Sequence, residues 1–334
     1  MKEDVSILIL GKGRIAQAVF YYFKKYSGIK KIDFFSGEKN IKDFSLLISC
    51  LPAKDAYLGL ELALKFRKNL LDISDLDPPF YLKRKKEIEK QNIFVIPGCG
   101  FSPGLLNFIT ARELILNPYI DGVIIKAGSL SKEKFFFPFL WCFEDLIQEH
   151  TLYSYQIISG KKIKCPPFSG YQNEEFLGIP SETYFCPSGF ENILERKKFF
   201  DFHFRVIRPQ GFMVFFNFLK NYGFFNKENI HQTKNLLEKI KKDNYTIATI
   251  ELKRKNKRVA FWKIFSFSKR NSPLNSMQKI TAVLPLSLFK VIFFKGIHLK
   301  GLKFMEDLAE NKIIFEELLK GLREKEIFIK REGF

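Results

Sequence analysis

Histidine, tryptophan and paired cysteine are scarce in this chain. Only four histidines occur among 334 residues, at His150, His203, His231 and His298, and their spacing suits no metal site. The five cysteines, Cys50, Cys99, Cys142, Cys165 and Cys186, are odd in number, and no two lie at knuckle spacing. A zinc knuckle and a disulfide framework are therefore not expected, and free thiols in a reducing, cytoplasmic compartment are. No uninterrupted apolar run reaches the roughly 18 residues that span a bilayer. The run Ile7–Leu10 is too short for the core of a secretory signal. Internal repeats and low-complexity linkers are also missing.

Acidic residues are in deficit: 55 Lys and Arg stand against 36 Asp and Glu, a net charge of +19. Such a charge suits a nucleic-acid or anionic membrane surface. Lysine, however, far outnumbers arginine, and phenylalanine reaches 39 residues. Both trends follow from an A- and T-rich gene, and base or phosphate recognition favours the arginine fork. No specific nucleic-acid partner is expected.

What is present is globular: 46% hydrophobic and 27% charged residues, in a chain long enough for two domains. The first hundred residues alternate short apolar runs with amphipathic ones. VSILIL, IKKIDFF, FSLLISCLP, NLLDIS and IFVIPG read as strands. RIAQAVFYYFKKY, the stretch from Asp55 to Phe66 and FYLKRKKEIEKQ read as helices. This alternation predicts a doubly wound parallel sheet with helices on both faces. After Gly104 the pattern shifts to a helix over 105–116, then longer strands, among them a hairpin around KNK at 255–257, and late helices. The stretch Met277–Phe294 reads as a helix broken near Pro285. The expected organisation is a Rossmann domain over 1–104, a mixed-sheet α/β domain over 105–279, and a C-terminal helical segment over 280–334 that returns toward the first domain.

The sharpest local signal is ILILGKGRIAQAV. Gly11, Gly13 and Ala16 form G-x-G-x-x-A directly after a strand and at the opening of a helix. Gly11 allows the tight turn and Gly13 the approach of a pyrophosphate. Ala16 allows close packing, and the helix start at Arg14 and Ile15 supplies N–H donors. The alternative is a tight turn without a ligand. An acidic residue closing the second strand would select NAD. Phe35 and Ser36 stand there instead. Ser36 and Lys39 can serve the extra phosphate of NADP, so the expectation leans to NADP, with Glu38 swinging back to serve NAD as the alternative.

Leu51, Pro52 and Ala53 end the third strand, where a bound dinucleotide would run along them. Asp72 and Asp75 end the next strand. Asp72 can orient an amine or act as a base, or it can cap the following helix. The stretch VIPGCGFSPGLLN then gathers Gly98, Cys99, Gly100, Pro103 and Gly104. Its glycines and Pro103 suit backbone passing close to a ligand. Cys99 is a candidate acid or substrate contact, or a small buried hydrophobe. Arg208 can clamp a carboxylate or be a surface charge. Glu149 beside His150 is a candidate pair or an ordinary helix surface.

The segment Gly100-x-x-Pro103-Gly104-x-x-Asn107 resembles the G-x-x-P-G-x-x-N segment of the saccharopine dehydrogenase family, which includes saccharopine reductase, lysine 6-dehydrogenase and carboxynorspermidine dehydrogenase. GKGRIAQAV, LISCLPA with NLLDIS, GVIIKAGSL with Trp141 and EDLIQEH, and MQKITAVLPLSLFKVIFFKGI resemble other parts of that family. Where the family shows Arg-Tyr-Pro-Gly-His, this chain has RPQGF, with Phe212 replacing the histidine, and His150 stands where tyrosine is common. The resemblance implies an NAD(P)-dependent oxidoreductase acting at a C–N carbon of an amino-acid-like small molecule, no metal, and a homodimer. Asp72, Cys99, Glu149 and Arg208 are then the catalytic candidates. Gly11, Gly13, Arg14, Ile15, Ala16, Ser36, Leu51, Pro52, Ala53, Gly100, Pro103 and Gly104 are the cofactor candidates. The altered turn keeps a non-catalytic dinucleotide-binding relative open.

Overall fold

The structure, a computed structural model, describes residues 5–74, 76–134, 136–187 and 189–333; Asp75, one of the two strand-end carboxylates, lies outside them. The chain divides into two compact units that interleave along the sequence. The first holds residues 1–118, 189–197 and 278–326, and the second 119–188, 198–277 and 327–334.

The first unit is built on a six-stranded sheet. Its strands are β1 (Val5–Leu10), β2 (Ile29–Phe34), β3 (Leu46–Ser49), β4 (Asn69–Asp72), β5 (Phe94–Ile96) and the short Gly301–Leu302 strand. The spatial order is β2-β1-β3-β4-β5 followed by Gly301–Leu302, and all pairs are parallel. The doubly wound expectation is thus borne out. β3 and β5 are buried throughout and β1 and β4 nearly so, because helices cover both faces. β2 stands at an edge with Lys30, Lys31 and Asp33 exposed, charges that discourage pairing with another strand. One face packs Leu8, Leu47, Leu70 and Val95 against Leu60, Tyr81 and Ile88.

The helix Ser276–Phe294 runs through Pro285 without a break, which corrects the expected interruption. Pro285 sits deep in the helix, and the surrounding residues Val283, Leu284, Leu286 and Leu288 are all buried, so packing outweighs the lost hydrogen bond. By length and composition alone this helix suffices to cross a membrane, although most of it is buried. Phe289 packs on Phe23, and Phe293 on Phe94. The region 80–91, expected as one helix, forms two, Pro78–Lys83 and Lys85–Lys90.

The second unit carries a mixed sheet of β6 (Gly122–Leu130), β7 (Ser154–Ile158), β8 (Lys161–Cys165), β9 (Gln172–Phe176), β10 (Ile179–Phe185), β11 (Asp201–Pro209), β12 (Asn244–Arg254) and β13 (Lys257–Ser268), with Phe328–Gly333 along the β13 edge. β6 and β11 are parallel and the other pairs antiparallel. The expected β12–β13 hairpin turns through Lys255 and Asn256, both at positive φ, as a two-residue hairpin loop requires.

Candidate functional site

The chain runs from β1 outward to β2 and then returns to the other side of β1 as β3. That reversal opens a crevice at the carboxyl ends of β1 and β3, where open α/β sheets take their ligands. The loop Gly11–Gly13 and the segment Cys50–Ala53 border it. Gly11 has φ +102°, and a Cβ there would meet the Cys50 carbonyl oxygen at 2.8 Å. Gly13 has nothing within 4 Å of where its Cβ would stand, so the space above it is open. It is also the N-cap of helix Arg14–Phe23, whose first turn holds no acidic residue. Ala16 is fully buried. Gln278 donates to the Arg14 carbonyl at 2.7 Å. The amides of Arg14, Ile15 and Ala16 therefore open the helix beside a vacant Gly13, which is the geometry of a phosphate cradle. Pro52 caps the short helical turn Ala53–Asp55, and Leu51, Pro52 and Ala53 are half-buried along the crevice.

Ser36 is exposed just beyond β2, where it forms a surface depression with Gly37, Glu38, Lys39 and Asn40. Asn40 donates to the Ser36 hydroxyl at 3.4 Å. Glu38 pairs with Lys65 at 2.5 Å. Both partners are exposed, so the pair holds Glu38 only weakly.

Asp72 is fully buried. Its Oδ1 accepts from the Ser74 amide at 2.9 Å and from the Ser74 hydroxyl, and its Oδ2 accepts from Tyr81 Oη at 2.8 Å. Burial pushes the carboxyl up to about 6 in spite of these bonds. Cys99 is also fully buried. Its amide and its thiol both donate to the Asp72 carbonyl oxygen, at 3.0 and 3.3 Å, and burial raises the thiol well above its ordinary value. The two candidates meet, as one internally satisfied node joining the ends of β4 and β5.

The crossover stretch beyond Cys99 forms a tight loop. Gly100 bridges Gly104, and Gly104 has φ +138° with no room for a Cβ against the Gly100 backbone. Pro103 packs near Gly98 and Gly189. Asn107, buried in the first turn of helix Leu105–Leu116, ties this loop down. Its Oδ1 accepts from the Gly104 amide at 3.0 Å, and its Nδ2 donates to the Gly189 carbonyl at 2.9 Å and to Glu306 at 3.0 Å. Sequence reasoning quoted Asn107 within a motif but gave it no role. Two of its three partners lie 82 and 199 residues away, and no local pattern reveals those two.

In the second unit Arg208 is 1% exposed. Its guanidinium donates to Glu149 at 2.5 Å, to His150 Nε2 at 3.1 Å and to the Ile207 carbonyl at 3.0 Å. Trp141 and Phe212 flank it, each ring centre 5.7 Å away. Burial raises the Glu149 carboxyl, with Arg208 pulling the other way. Arg208 and Glu149 are thus brought together, with His150 as a third member. Glu182, which sequence reasoning missed, accepts from the Gly211 amide at 2.8 Å and the Met213 amide at 2.5 Å. It caps the helix that follows the RPQGF turn.

A parallel sheet wound on both faces, with a glycine loop at its switch point, gives the first unit a Rossmann-type fold. No protein-family model and no curated protein sequence matches the chain. Among solved structures, apo saccharopine dehydrogenase (L-Glu forming) from Saccharomyces cerevisiae matches with TM-score 0.79 and 12% identity, over 99% of this chain and 100% of that one. The fold is that of saccharopine dehydrogenase, as the sequence resemblance implied. DAP dehydrogenase from C. glutamicum matches with TM-score 0.48 and 10% identity, over 96% of this chain and 99% of that one. Aspartate dehydrogenase from Thermotoga maritima matches with TM-score 0.39 and 12% identity, over 89% and 100%.

Proposed function

We propose that this protein is a saccharopine dehydrogenase-like, NAD(P)-dependent oxidoreductase that transfers a hydride at a C–N carbon of an amino-acid-derived amine or imine. The observation that carries this reading is the Gly11–Gly13 loop closing on Cys50 at the switch point. The fold shared with saccharopine dehydrogenase over the whole chain supports it. The dinucleotide, when bound, supplies the hydride chemistry. The chain's part is to seat and orient it. The amides of Arg14, Ile15 and Ala16 receive the pyrophosphate over Gly13, and Leu51, Pro52 and Ala53 flank it. Ser36 and Lys39 stand beyond β2 for a 2′-phosphate, which favours NADP over NAD. Gly100, Pro103 and Gly104 form the wall at the end of β5.

The internal bonds of Asp72 and Cys99 fit positioning roles: they hold the Ser74 turn and the 99–104 loop in place. Arg208 and Glu149 likewise brace each other. The reading carries with it a homodimer and a cytoplasmic location, and the five free cysteines accord with the latter.

Those same bonds favour one second reading, a relative that binds the dinucleotide without turning it over. All four catalytic candidates already have partners inside the fold. Rapid mixing of the protein, loaded with reduced dinucleotide, against aldehydes or keto acids paired with amino acids separates the two. Single-turnover oxidation of the bound dinucleotide supports the enzyme. Its absence across the panel, with binding intact, supports the second reading.

A further inference from the structure

The helix Phe212–Asn221 of the second unit is apolar on both sides. Phe212, Phe216 and Leu219 are buried, as the inner face of a surface helix should be. The outer face departs from that pattern. Val214, Phe215 and Phe218, with Tyr222 at the helix end, fall on one side at the spacing of successive turns, and are 69%, 45%, 48% and 71% exposed. The rings form a continuous strip. Phe218 lies 4.6 Å from Tyr222 and 6.4 Å from Phe224, centre to centre, and Phe215 lies 6.0 Å from Phe137.

Exposed apolar side chains grouped this way mark a surface that meets something other than water. The charge around the strip decides what. Residues 211–227 contain Lys220 and Lys227 and no acidic residue. Both lysines are exposed, and neither enters an ion pair among the described residues. The Glu182 carboxylate at the helix start is buried and taken up by the Gly211 and Met213 amides. The helix that follows, Ile230–Lys239, presents both Leu236 and Lys239 to solvent. Apolar rings beside unpaired lysines complement a layer whose surface is anionic and whose interior is hydrocarbon. A second copy of the strip is a poor complement, because it sets lysine against lysine in a chain whose net charge is +19.

We propose that this strip docks the protein on the surface of an anionic phospholipid bilayer. Val214, Phe218 and Tyr222 enter the boundary between headgroups and acyl chains, and Lys220 and Lys227 meet the lipid phosphates and carboxylates. With 10 residues the helix lies along the surface and does not cross it. The docking surface takes in none of the catalytic or cofactor candidates, goes beyond the oxidoreductase reading, and does not depend on it.

Cosedimentation of the full-length protein with vesicles tests this, using phosphatidylcholine alone and phosphatidylcholine with about one third phosphatidylserine. The wild type is expected to bind the anionic vesicles at least about tenfold more tightly than the neutral ones, and to let go as salt is raised. Val214→Ser with Phe218→Ser keeps every charge and is expected to weaken binding by about tenfold or more. Lys220→Glu with Lys227→Glu is expected to weaken it at least as much, about tenfold or more. All four positions are exposed, and an unchanged melting temperature checks that both variants fold. Lys161→Glu with Lys162→Glu reverses two exposed lysines on β8, whose neighbour β7 joins β11 at Phe202, near its start, whereas the helix follows the end of β11. That control is expected to weaken binding by about threefold or less. The proposal is overturned if the wild type stays in solution, if neutral vesicles bind it as well, or if the Val214 and Phe218 variant binds like the wild type. It is equally overturned if the Lys161 and Lys162 control costs as much as the Lys220 and Lys227 pair, which makes the attraction diffuse. Sedimentation velocity without lipid closes the test: self-association that Val214→Ser with Phe218→Ser abolishes gives the strip to a second copy and overturns the proposal.

Discussion

Arg208 donates through Nε to His150 Nε2 across 3.1 Å, while His150 Nδ1 lies 2.7 Å from the Leu146 carbonyl oxygen. The arginine cannot accept and the carbonyl cannot donate, so the ring is neutral with its proton on Nδ1. Phe212 and Phe216 close over it, with ring centres 4.9 and 5.2 Å away. Burial first, then Arg208, hold its pKa well below 6.5. Near pH 6 the unfolded chain thus binds a proton that the folded one refuses, and this stability is lost as pH falls below 6.5. Urea unfolding of the wild type and His150→Gln is expected to show the wild-type advantage shrinking from pH 7.5 to pH 5. A constant advantage contradicts the neutral ring.

Asp72 has the opposite sign. Its folded pKa is raised from 3.8 to about 6, so its contribution is fully present below the unfolded value and is lost as pH rises through 6. Against Asp72→Asn, the wild type is expected to lose about 2 kcal/mol of relative stability between pH 4 and pH 7, an order-of-magnitude figure. Chemical denaturation at both pH values checks it. A relative stability that rises with pH means the carboxylate is ionised and favourably paired.

Gly11 and Gly13 separate fold from function. Gly11→Ala forces a Cβ against the Cys50 carbonyl at positive φ and is expected to destabilise by about 1–3 kcal/mol. Gly13→Ala meets nothing, and its φ is an ordinary −69°. It is expected to leave the melting temperature nearly unchanged and to weaken the dinucleotide by about tenfold or more, because the methyl stands where the pyrophosphate must approach. Calorimetry and a binding titration on the same preparation read both.

Asn107 holds three segments with one side chain. Asn107→Ala is expected to cost about 2–4 kcal/mol, since it leaves buried groups at Gly104, Gly189 and Glu306 without their partner. Hydrogen exchange at the Gly104 amide is expected to speed up beyond the global effect. Unchanged protection there removes its anchoring role.

How far the sequence carried depends on range. The strand–loop–helix from Val5 to Phe23 was legible because every signal in it is local: an apolar run, two glycines, a small residue, then helical spacing. β3 to β5 and the β12–β13 hairpin were legible for the same reason. The fates of Asp72 and Cys99 were not. A carboxylate at a strand end looks available until Tyr81 and Ser74 close on it. Arg208 reads as a clamp or a surface charge until Glu149, 59 residues away, and His150, 58 residues away, take it up. Glu182 carried no signal at all, and Pro285 gave a misleading one, since burial on both sides of it overrides a local preference.

The most direct test of the central claim is a titration of the wild type and Gly13→Ala with NADPH and with NADH, followed by the fluorescence of the reduced nicotinamide and by calorimetry. Saturable one-to-one binding to the wild type, tighter for NADPH and lost in a folded Gly13→Ala, is the expected result. No binding of either dinucleotide to the folded wild type contradicts the account, and leaves Gly11, Gly13 and Ala16 as no more than a tight turn between a strand and a helix.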